Sequence, residues 1–144
     1  MKIMGNSGTM ELVMLALEPG ELLLESIQQA IEEKDIRNGT VASGIGTLKN
    51  LRYYAIAHTG FPPEHEHFNV ELPLELLSVN GTIARSEPHL HVVASCGRDE
   101  VYAGHLEPGS EVAYLAEIAI WKCNDLRMCR TMDPDRQINL LGPE

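Results

Sequence analysis

The chain has 144 residues, enough for one domain with a real core. Hydrophobic residues make up 44% of it, which marks a globular protein. Asp and Glu number 21 against 11 Lys and Arg, a net charge of −10; phosphate backbones and anionic membrane surfaces are bound by clusters of cations, so this balance argues against both as partners.

Met1 to Gly8 is polar and glycine-rich, and is expected to be a flexible N-terminus with no signal peptide. Met10 to Leu17 reads as a first strand, broken by Glu18-Pro19-Gly20. Glu21 to Asp35 reads as the principal helix: Leu23, Ile27, Ala30 and Ile31 form one apolar stripe, and Asn38-Gly39 is a stop signal. Strands are then expected at Thr40–Gly44, Leu51–Ala57, Leu74–Ala84, His89–Ser95, Glu100–Leu106, Glu111–Trp121 and Leu126–Thr131. His58 to Pro73 holds three prolines and reads as a surface loop; residues 133–144 read as a loosely packed tail, leaving 9–132 as the domain. One helix with about seven strands predicts an α+β domain with a mostly antiparallel sheet. A single helix leaves one sheet face uncovered, and the near-continuous apolar run Glu111–Trp121 agrees with burial on both sides in an oligomer.

The most informative spacing lies in Pro88-His89-Leu90-His91-Val92 and Ala103-Gly104-His105-Leu106. In a strand, residues i and i+2 share a face, roughly 6.6–6.8 Å apart, so His89 and His91 can lean onto one ion. If Gly97-Arg98-Asp99 is a three-residue hairpin loop, His91 faces His105. A two-residue loop would put Val92 there instead and turn His105 away. The alternative is three packed imidazoles bonded to backbone. A three-histidine site leaves a fourth position open to water or substrate; it suits a divalent metal such as zinc, and copper, nickel or iron as well.

Other candidates are weaker. Glu64-His65-Glu66-His67 repeats the spacing, but reads as a solvated loop, with a second ligand set or a lid as the alternative. Glu117 shares its strand face with Ala113, Leu115, Ala119 and Trp121; it could pair with Arg52 or Arg85, hydrogen-bond a metal-bound histidine, or act as a catalytic general base. Cys96, Cys123 and Cys129 are odd in number and loosely spaced, so they read as reduced thiols in a cytoplasmic protein. Gly44-Ile45-Gly46 lacks the third glycine of a dinucleotide loop, because Lys49 occupies that place.

Several segments together resemble the plants-and-prokaryotes-conserved (PPC) domain in its stand-alone prokaryotic form. They are Leu17-Glu18-Pro19-Gly20-Glu21, Ser43-Gly44-Ile45-Gly46-Thr47-Leu48, the stretch from Leu74 to Ala84, and the two histidine segments. The resemblance runs from about Leu12 to Arg130. It implies an α+β fold with a largely antiparallel sheet, a homotrimer, and a customary label of DNA-binding protein. In plant members that activity rests largely on a separate AT-hook, and this chain carries no such segment. In the prokaryotic form, Pro-His-Leu-His and Gly-Gly-His-Leu look like a metal or active-site constellation; here the second begins with Ala103 in place of the first glycine. Three readings therefore stand side by side: a metal-binding protein with metal-dependent chemistry on a small molecule, a DNA-binding or regulatory module, and a structural or interaction domain.

Overall fold

The computed structural model describes residues 1–144 in the order β1 (Met10–Leu17), α1 (Leu23–Glu33), β2 (Asn38–Leu48), β3 (Leu51–Ile56), β4 (His65–Val70), β5 (Leu74–Ala84), β6 (Glu87–Cys96), β7 (Glu100–Leu106), β8 (Val112–Cys123), β9 (Met128–Asp133) and β10 (Ile138–Pro143). Eight strands form one sheet in the order β1-β8-β2-β5-β6-β7-β3-β4, every neighbouring pair antiparallel; β9 and β10 form a separate hairpin. This is the expected α+β architecture with one helix, and β4 and β10 are additions to it.

The helix forms because its apolar residues fall on one stripe. Leu23, Leu24, Ile27 and Ile31 are buried, and they join Val41, Leu48, Ile83, Leu90, Leu106, Ile118 and Ile120 in one core. Each such side chain removed from water contributes about 1.5–3 kcal/mol. The helix ends earlier than the Asn38-Gly39 signal suggests: Asp35 takes the left-handed conformation (φ 48°), and Asn38 already belongs to β2. Gly44 and Gly46 also lie in β2, so that segment is a strand and not a phosphate-binding loop.

The helix covers one sheet face, and the other face is open. Along β6 the alternation is direct: Leu90 and Val92 are buried, while His89 and His91 stand on the open side. No helix is long and apolar enough to cross a membrane.

Candidate metal centre

Two turns set the register of the histidines. Arg85 and Ser86, with φ of 53° and 63°, join β5 to β6 as a two-residue turn, which pairs Ala84 with Glu87 and Thr82 with His89. Gly97-Arg98-Asp99 joins β6 to β7 as a three-residue loop, with Gly97 at φ 61°; Cys96 pairs with Glu100, and His91 therefore faces His105. On the far side of β7, His105 pairs with Tyr54 of β3, and Tyr54 pairs with His67 of β4. That row of side chains lies on the open face.

His89, His91 and His105 each offer a ring nitrogen, and these atoms lie within 4.8 Å of one another. The rings sit 4.9–5.6 Å apart between centroids. Ligands of a tetrahedral ion with 2.0–2.1 Å bonds stand roughly 3.3 Å apart, so small side-chain rotations close the gap. The protonation states favour a ligand role. Loss of surrounding water lowers the pKa of His89, with Arg130 and His91 adding repulsion. The same cause, reinforced by His89 and His91 and opposed by Glu107, lowers His105 to about 4. Neutral imidazole is the form that binds metal. An all-imidazole donor set of three fits zinc or another borderline divalent ion with one position left open.

Tyr54 stacks on His105 with ring centroids 4.3 Å apart and planes inclined by 16°, which limits how the imidazole can turn. Gly104 makes that approach possible: a Cβ there would fall 2.4 Å from the Tyr54 carbonyl oxygen. His65 and His67 lie in a strand, not in the expected loop, and belong to no ligating group. His65 tilts over Tyr54 at 4.3 Å, and His67 Nδ1 bonds the Glu107 carboxylate at 2.9 Å. Glu117 is not brought to the histidines. It pairs with Ala16 of β1 and Ile45 of β2, is exposed, and sits three strands from His91, roughly 14 Å by strand spacing.

A cleft of about 400 Å³ adjoins the cluster, lined among others by Tyr54, His65, His89, His105, Glu87 and Arg130. Gln137, Ile138 and Asn139, from the end of the chain, complete its wall. Arg130 was submerged in the sequence among nearby aspartates, yet it pairs with none of them; Asp133 is taken by Arg136. A larger cavity, of about 590 Å³, lies elsewhere, beside Thr47, Lys49, Leu74 and Tyr114, and holds no histidine.

Residues 4–124 match the Plants and Prokaryotes Conserved (PCC) domain. The chain belongs to this family. The PCC fold recurs in a metal-containing protein from Archaeoglobus fulgidus, 26% identical, with a TM-score of 0.79 over 97% of this chain and 98% of the other. It recurs in a Bacteroides thetaiotaomicron structure provisionally called a DNA-binding protein, with a TM-score of 0.79 over 96% of each chain; identity there is 17%, which speaks for the fold alone. Among curated relatives, the bifunctional protein GlmU of a Synechococcus strain is 28% identical over 127 residues. That match takes in 88% of this chain and 19% of GlmU, so this PCC chain spans about a fifth of that relative.

Proposed function

We propose that this PCC domain binds one divalent metal ion through His89, His91 and His105 and uses it in chemistry on a small molecule. The observation that carries the reading is the convergence of three ring nitrogens within 4.8 Å on adjacent strands, beside a cleft. A bound ion would supply a Lewis acid with an open coordination position. The chain's own residues do the holding: β6 and β7 present the rings, and Tyr54 limits the turning of His105. The metal-containing relative from Archaeoglobus supports this reading.

The same proposal makes the protein a cytoplasmic homotrimer. Three free cysteines support a reducing compartment, and an open sheet face rich in apolar side chains supports self-association. The DNA-binding label is not adopted, because a net charge of −10 weighs against contact with the phosphate backbone.

Metal analysis of untagged protein tests the reading. One equivalent of metal per chain is expected, lost in His89→Ala and His105→Ala with the fold retained. Protein that stays metal-free after zinc supplementation returns the histidines to a packing role.

A further inference from the structure

Arg130 reaches the histidine cleft from β9 and forms no ion pair there. Its Nη2 donates to the Thr82 hydroxyl at 2.7 Å and carbonyl at 3.3 Å, and its Nη1 donates to the Glu87 carbonyl at 3.1 Å. These bonds fix the guanidinium beside His89, because Thr82 pairs with His89 across the β5–β6 ladder. They occupy three of the five N–H donors of an arginine. Two carboxylates nearby offset part of the charge without pairing with Arg130. Glu107 spends both oxygens on His67 at 2.9 Å, and Glu87 lines the cleft without forming an ion pair with Arg130. Tyr54 lines the same cleft, and its hydroxyl has no hydrogen-bond partner in the chain. Three imidazoles bring no negative charge to a divalent ion. With a divalent ion held there, the ion and Arg130 together would outweigh the Glu87 carboxylate, on a protein whose net charge is −10.

We propose that this cleft binds a small oxyanion, a carboxylate or phosphate group, with Arg130 as its charge partner and the Tyr54 hydroxyl as a second donor, beside the metal position. The inference rests on the metal reading above. A volume of about 400 Å³ lies within the range of small-molecule pockets. Arg130 is suited to the task because its guanidinium stays charged, is braced in place, and keeps Nε–H and one Nη1–H free to donate.

Calorimetric titration of zinc-loaded protein with inorganic phosphate, and separately with acetate, tests this, with chloride at equal ionic strength as the control. Wild type is expected to bind one of the two oxyanions saturably. Arg130→Met weakens that binding by about tenfold, Arg130→Lys restores part of it, and Tyr54→Phe weakens it by about threefold, with zinc content equal throughout. The tighter of the two anions identifies the group the cleft takes. Unchanged anion affinity in a folded, zinc-loaded Arg130→Met overturns the proposal, as does zinc-loaded wild type that binds neither anion. Should Arg130→Met fail to fold, an unchanged affinity in Tyr54→Phe overturns it equally. Wild type that takes up no zinc removes this inference together with the metal reading, so the two failures are distinct.

Discussion

His105 lies between Tyr54, at 4.3 Å, and His89, at 4.9 Å, and that packing sets its chemistry. Loss of water and the neighbouring imidazoles bring its pKa in the folded protein to about 4, below the ordinary 6.5. Between those two values an unfolded chain takes up a proton that the folded chain refuses. Metal-free protein is therefore expected to lose stability as pH falls from 6.5 toward 4, and to be indifferent to this group above 6.5. His105→Gln removes that contribution while leaving every carboxylate in place. Thermal unfolding of metal-free protein at pH 7 and pH 4.5 should show wild type losing a few °C more than His105→Gln; equal losses would show that the ring is not held neutral by its surroundings. The ligand candidates were legible in the sequence because period-two spacing is a local signal, carried by His89-Leu90-His91 itself. Arg130 and Tyr54 were not, because only the order of strands in the sheet, and a hairpin docked at its end, bring them to the cleft.

At the scale of elements, loop length decides whether the cluster exists. The three-residue loop at Gly97 pairs His91 with His105, and a slip of one residue would turn His105 to the helix side. The bounds of β1, β5 and β7 could be read from their apolar patterns, but β4 could not. Its six residues are exposed on both sides apart from half-buried Val70, so no alternation marks them, and Pro62, Pro63 and Pro73 flank the strand without interrupting it. What holds β4 is pairing with β3 and the stack of Phe68 on Tyr53 at 5.0 Å. The seam between β3 and β7 is the tightest part of the site. At Gly104 an added methyl group would meet the Tyr54 carbonyl oxygen at 2.4 Å and the Tyr53 ring at 2.6 Å. Gly104→Ala must push β7 off β3, at a cost of about 1–3 kcal/mol, and carry His105 away from Tyr54. A lowered melting temperature together with weaker zinc binding is expected; a variant matching wild type in both would mean that the seam yields freely.

In the whole molecule the open face has two halves. On β1, β8, β2 and β5 it carries Leu12, Met14, Trp121, Ile45 and Leu77, with Met14 63% and Leu77 52% exposed. On β6, β7, β3 and β4 it carries the histidines and Tyr54. The run Glu111–Trp121, expected to be buried on both sides, falls in β8, which buries only Val112, Ala116, Ile118, Ile120 and Cys123 within one chain. An exposed apolar area of this kind marks a contact surface. Self-association through the apolar half would cover it and leave the histidine half at the rim, with the cleft reachable. Glu117 sits in the apolar half, so a part in assembly suits its position better than a part in metal binding. Light scattering on wild type is expected to give three times the 15.9 kDa chain mass. Met14→Lys, which places a charge amid the apolar half, should shift the mass toward one chain while zinc stoichiometry stays the same, because each cluster is built within a single sheet. A wild-type mass of one chain would show that the apolar half stays uncovered, and loss of zinc together with assembly would show that the site needs a neighbouring copy to be complete.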